Sequence, residues 1–193
     1  MRKILLTISL LGLTVFLFSG CSGQTPSTGQ STAHTSPTTV PAQPIALLEP
    51  AVAVPGACPI TPVFTGPSRG SADLDFLPWM KAEPPSSGII AYLFFVRSDF
   101  ATTHTYGPLH TGGGYPDGRS TKILWYTLNP HSSNDLELTG KKVSTDHATF
   151  RQSIPMASPV GDYPSIVTIP TPGCWQVQLQ SGTVTATVTV WVV

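Results

Sequence analysis

Charge is scarce in this chain. Asp, Glu, Lys and Arg together make up 10% of 193 residues, ten basic against ten acidic, for a formal net charge of zero. So even a balance, with no basic stripe, argues against nucleic acid as a partner. Cysteine is sparse too, at three residues, and no Cys-x-x-Cys occurs, so thiolates alone do not make a metal site. No long stretch has helical period. The one short candidate, Asp73–Ala82, is interrupted by Pro78. A Gly-x-Ser-x-Gly elbow is missing, so serine hydrolase chemistry has no anchor. Gly112, Gly113 and Gly114 lack the Gly-Lys-Ser/Thr ending and the following helix of a phosphate-binding loop.

What is present begins with an address. Arg2 and Lys3 precede an apolar run, Ile4 to Phe18, and then Ser19-Gly20-Cys21. A charged start, a short apolar stretch and a small-residue exit describe a secretory signal, and the run is too short to read as a permanent span. Leu17-Phe18-Ser19-Gly20-Cys21 resembles the lipobox of bacterial lipoproteins. That resemblance implies a signal peptide at residues 1–20, lipid attachment to the Cys21 thiol and a membrane partner through the anchor. Plain secretion and an uncleaved anchor are the competing readings. Residues 22–56 are rich in Ser, Thr, Pro, Gly and Gln, and Glu49 is their one charged residue. Such a composition cannot offset its chain entropy by burial, so 21–56 reads as a lipidated, flexible tether. Its coil span is on the order of 30 Å. Within it, Ile45 to Val54 is more apolar and able to dock on the domain as an early strand.

Residues 57–193 are one domain's worth of chain. A dense apolar run with aromatics predicts a buried strand at Gly88–Arg97, and period-2 alternation predicts strands at Lys122–Leu128 and Asp135–Val143 with a break at Gly140; Asp146–Ile154 and Ser165–Ile169 are weaker strands. Asn129-Pro130 reads as a turn. The clearest signal is C-terminal. Trp175, Val177 and Leu179 alternate with Gln176, Gln178 and Gln180; beyond Ser181-Gly182, Val184 to Val192 alternate with threonines. A two-residue loop at Ser181-Gly182 sets Leu179 opposite Val184, Val177 opposite Ala186 and Trp175 opposite Val188, all on one buried face. Seven to nine short strands separated by Gly and Pro predict an all-β, antiparallel β-sandwich following the signal peptide and the disordered tether.

With Cys21 lipidated, Cys58 and Cys174 remain, and in an exported chain two thiols pair. Cys174 has the parity of Gln176, not of Trp175, which predicts a clip at one end or on the outer face of the sandwich. Cys58-Pro59-Ile60-Thr61-Pro62, Leu124-Trp125-Tyr126 with Leu138-Thr139-Gly140-Lys141, and Pro170-Thr171-Pro172-Gly173-Cys174-Trp175 resemble a family of uncharacterised bacterial envelope lipoproteins. That resemblance implies an immunoglobulin-like domain and no activity.

Chemistry is thinly marked. Asp99 to Arg119 gathers Asp99, His104, Tyr106, His110, Tyr115, Asp117 and Arg119. His104 and His110 are candidate metal ligands through their imidazoles, but they lack the His-Glu-x-x-His spacing, and a long, mobile hairpin loop with polar residues is the better account of them. Asp135, Glu137, Asp73 and Asp75 are candidate paired carboxylates of a glycosidase, but the alternation of Asp135 and Glu137 is better read as the solvent face of a strand. Tyr115 and Trp191 are candidate ligand-stacking aromatics. Trp191 has the parity of the threonine face, where it either stacks on a sugar or partner protein or is covered by Ile45–Val54. No catalytic residue and no cofactor are implied. The reading is a lipid-anchored extracytoplasmic module at the cell membrane, binding an envelope protein or glycan or serving a structural role, with metal binding as the alternative.

Overall fold

The computed structural model describes residues 44–128, 135–143 and 148–193. Residues 1–43, with Cys21 and most of the tether, and the Asn129-Pro130 turn lie outside the described residues.

Eleven strands are described: β1 (Ala46–Pro50), β2 (Val63–Thr65), β3 (Trp79–Lys81), β4 (Ile89–Leu93), β5 (Thr105–Tyr106), β6 (Lys122–Thr127), β7 (Leu136–Lys142), β8 (Thr149–Ile154), β9 (Asp162–Ile166), β10 (Gly173–Ser181) and β11 (Val184–Val192). They form two sheets in a sandwich, one of seven strands in the order β5-β1-β2-β3-β4-β6-β9 and one of four in the order β11-β10-β7-β8. Every pairing is antiparallel except β1 with β5. The apolar stretch at 45–54 is therefore part of the domain. Ala46–Pro50 pairs with β2 on one side and β5 on the other, so the sandwich starts about ten residues before position 57.

Alternation works as the sequence suggests. Val177, Leu179, Ala186, Val188 and Trp175 turn inward from the small sheet and meet Ile89, Ala91, Leu93, Ile123 and Trp125 from the large one. Trp175 is fully buried, and truncating such a ring in a core costs about 3–5 kcal/mol. Each buried indole N–H has an acceptor: Trp79 donates to the Gly66 carbonyl at 2.8 Å, Trp125 to Ser165 Oγ at 3.1 Å, Trp175 to the Thr171 carbonyl at 3.0 Å. Tyr163 OH and Ser181 Oγ, 3.0 Å apart, join the two sheets through the interior.

Two local expectations shift. The hairpin turns at Gly182-Thr183, so Leu179 faces Ala186, Val177 faces Val188 and Trp175 faces Val190. A slip of two residues in the pairing keeps every side chain on its face, which is why the alternation could not distinguish the registers. Nor does β7 break at Gly140. The strand runs through it, and an added Cβ there would collide with the Phe150 ring of β8, which packs edge-on against Trp175 with centroids 5.5 Å apart.

The small sheet's outer strand, β11, is covered along its length. Glu83 exchanges two backbone hydrogen bonds with Thr187, at 2.9 and 2.7 Å. The Thr61 N–H donates to the Thr189 carbonyl while Thr61 Oγ1 accepts from the Thr189 N–H, both at 2.8 Å. Leu109 pairs in parallel with Val192. An edge so covered offers no template for another chain. At the other edge the Gln152 side chain donates to the Ile166 carbonyl at 2.9 Å and accepts from the Thr168 N–H at 3.2 Å, closing β8 against β9.

Cys58 and Cys174 form the disulfide, with Cα atoms 5.6 Å apart. Cys174 lies beside Trp175 on the opposite face of β10, and both sulfurs sit outside the main core cluster. The clip is thus on the outer face, and the chain around Cys58 buries it.

Candidate functional site

The segment between β4 and β6 closes one end of the sandwich. After Leu93 the chain makes a single helical turn, α1 (Phe100–Thr103), and leaves it through His104 in a left-handed conformation, φ 53°. β5 then joins the large sheet beside β1, and Leu109 joins the small sheet beside β11. Both sheets therefore hold this loop by backbone hydrogen bonds, among them Ala51 N–H to the Tyr106 carbonyl at 2.8 Å and Val193 N–H to the Leu109 carbonyl at 2.9 Å.

Tyr115 is its pillar. The phenol donates to the Pro108 carbonyl at 2.6 Å. The His110 ring packs against it with centroids 4.3 Å apart, and the Arg119 guanidinium carbon lies 4.3 Å from its centroid. Phe95 packs further below, at 6.2 Å. Arg119 also donates through Nε to Asp117 Oδ2 at 2.8 Å and through Nη1 to the Phe95 carbonyl at 2.9 Å. Burial pushes the Tyr115 phenol up to about 12; the Arg119 charge opposes the rise and Asp117 adds to it. Tyr106 is likewise pushed up to about 12 by burial, with Glu49 contributing. The hydrogen bond from the Arg119 side chain holds Asp117 below the ordinary carboxylate range.

Beside this pillar lies a polar cleft of about 190 Å³, bordered by Arg97, Asp99, Thr103, Thr105, Tyr115 and Arg119. Arg97 pairs with Asp99 at 3.6 Å. Arg119, the other guanidinium of the lining, pairs with Asp117 outside it at 2.8 Å. A second, apolar cavity sits between the sheets near the same end, lined by Val52, Val54, Met80, Leu93, Val190 and Trp191 among others; at about 30 Å³ it has room for roughly one water.

The sequence candidates fall out as follows. His104 is exposed at the end of α1, its carbonyl accepting from the Glu49 N–H at 3.0 Å. His110 packs on Tyr115 instead of converging with it on a common point. Among the described residues no three His, Cys, Asp or Glu side chains gather where they could hold a metal ion. Tyr115 is committed to the loop, its hydroxyl bonded and its ring packed by His110 and Arg119. Trp191 does lie on the outer side of β11, opposite Cys174, and it lines the apolar cavity along with Val52 and Val54. Glu137 lies half-exposed on β7 and Asp135 is exposed beside it, accepting from Ser153 Oγ at 3.3 Å. Asp75 accepts from the Ser68 N–H and Oγ at 3.0 and 3.1 Å, a loop-building role.

A second buried cluster escapes sequence reading. Trp79, Ile90 and Tyr92 form it on the outer face of the large sheet, beneath residues 66–78. Tyr92 OH anchors that covering loop, 2.6 Å from Ser68 Oγ and accepting from the Ser71 N–H at 2.8 Å. Ile89 to Leu93 is buried on both faces, so it shows no alternation from which the cover could be deduced. Among the described residues, no helix is long and apolar enough to cross a membrane. No family model matches the chain, and neither a curated protein nor a solved structure matches it.

Proposed function

We propose that this chain is a lipid-anchored, extracytoplasmic immunoglobulin-like β-sandwich that binds a partner or ligand at the cell envelope rather than transforming one. The disulfide carries the exported part of the reading: paired cysteines persist in oxidising compartments, and here they join the first covalent landmark of the domain to its last hairpin. Export agrees with the charged, apolar start of the chain and with Cys21 at its exit. Binding rather than catalysis is supported by the way the end loop engages its polar groups. Tyr115 OH, the Arg119 guanidinium and the Asp117 carboxylate all hold one another and the backbone in place, so the surface they build is stiff and complementary rather than reactive. A stiff loop held by both sheets is what a recognition surface needs, because little ordering entropy remains to be lost on binding.

The test is metabolic labelling with radioactive palmitate of the full chain and of a Cys21→Ala variant, with membrane fractionation of both. Label and membrane retention confined to the parent chain are the expected result. Equal retention of the variant, or no label on the parent, overturns the anchor.

A further inference from the structure

The two outer faces of the sandwich differ in kind. On the four-stranded sheet the outward positions of β10 are Gln176, Gln178 and Gln180, all exposed, paired across the strands with threonines of β11 and with Lys141, Thr139 and Glu137 of β7. Those positions are polar, while Trp191 of β11 and Val143, 50% exposed just beyond β7, share that side. On the seven-stranded sheet the cross-strand register aligns Leu47, Phe64, Trp79, Tyr92, Leu124 and Pro164 in one outward row. The loop 66–78 covers the middle of that row through Leu74 and Leu77. It leaves the β1 end bare, with Leu47 52% and Ile45 53% exposed, and it carries outward its own Phe76, 66% exposed. Large apolar side chains left bare on a sheet face mark a contact surface.

We propose that this face rests on the lipid bilayer, at the level of the headgroups and upper acyl chains. The inference rests on the lipid-anchor reading above and adds an orientation to it. Chain connectivity selects the bilayer as the occupant. The chain outside the described residues ends at Gln43, and Ile45 and Leu47 follow at once, so an anchor at Cys21 delivers this end of this face to the membrane first. Three bare apolar side chains are weak as a lone membrane signal, but joined to an acyl anchor they act as the second of two contacts, and the polar Gln/Thr face is then turned to the aqueous side.

The experiment places a photoreactive benzophenone amino acid at position 47, 76 or, on the opposite face, 178 of the full-length lipidated chain, followed by irradiation in the native membrane. These positions are solvent-exposed, so the fold tolerates the probe. Phospholipid adducts at 47 and 76 and none at 178 are the expected outcome. Protein adducts at 47 and 76 overturn it and assign the face to a protein partner. Equal lipid adducts at all three positions, or none at any, overturn it as well. Palmitate labelling of the same samples separates the two ideas: a labelled Cys21 without lipid adducts refutes the orientation alone, whereas an unlabelled Cys21 refutes the anchor.

Discussion

Tyr92→Phe deletes a phenol oxygen that anchors the covering loop at two points. Ser68 Oγ gives its proton to Asp75, so the 2.6 Å contact must be donated by the phenol, which is then free to accept from the Ser71 N–H. The variant loses both bonds, each worth about 1 kcal/mol net, and leaves the Ser71 N–H without its partner at a cost of about another 1 kcal/mol. A total of about 2–3 kcal/mol moves a urea midpoint by about 1 M at an m-value near 2 kcal/mol/M. Gly70 supplies a second handle. A Cβ at Gly70 would collide with the same phenol oxygen, with Ile90 Cδ1 at 3.2 Å next in line. Gly70→Ala therefore costs about 1–3 kcal/mol by overpacking. In the Tyr92→Phe background the hardest of those contacts is gone. The double variant is then less destabilised than the sum of the singles by about 1 kcal/mol. Urea unfolding of all four proteins, followed by tryptophan fluorescence, completes the cycle. Strict additivity, or a Tyr92→Phe midpoint equal to that of the parent, refutes the role given to this hydroxyl.

Replacing both Cys58 and Cys174 by Ala opens a loop spanning 116 residues, which on the chain-entropy model removes about 4–5 kcal/mol and is read from the same unfolding curves. Alkaline stability follows from Tyr106 and Tyr115. Both fold with phenols pushed up to about 12 against an ordinary value near 10, so unfolded chains release these protons first as pH rises. The stabilisation is whole below pH 10 and is lost progressively toward pH 12; Tyr115→Phe flattens that decline, and an unchanged pH profile contradicts the burial of the phenol.

Legibility followed chemistry that repeats. The Gln/Val and Thr/Val alternation of β10 and β11 announced both strands, their buried face and the outward placement of Cys174, and only the pairing slid, by two residues. The stretch from Ile45 to Val54 was ambiguous because Ala, Pro and Val alternate there without contrast; its strand is decided by partners from β2 and β5, distant in sequence. The end loop reads as a string of polar residues, yet its order comes from backbone pairing to both sheets and from one tyrosine wedged between a histidine and an arginine. Backbone donors carry no sequence signature, so the stitching was invisible, as was the packing of the His110 ring on Tyr115. The cluster around Tyr92 was hidden for a related reason: a strand buried on both sides gives no pattern by which its second cover can be told from its first.

The disulfide has a consequence in time as well as in space. A polypeptide emerges N-terminus first, so Cys58 appears 116 positions ahead of its partner, with β2 to β9 between them. That partner arrives only with the final hairpin, nineteen positions before Val193. A chain cut short anywhere before Cys174 has no way to close the bridge, and its one remaining thiol in this domain stays exposed to chemical inspection. The bond therefore reports the delivery of β10 and is absent from every fragment that stops before Cys174.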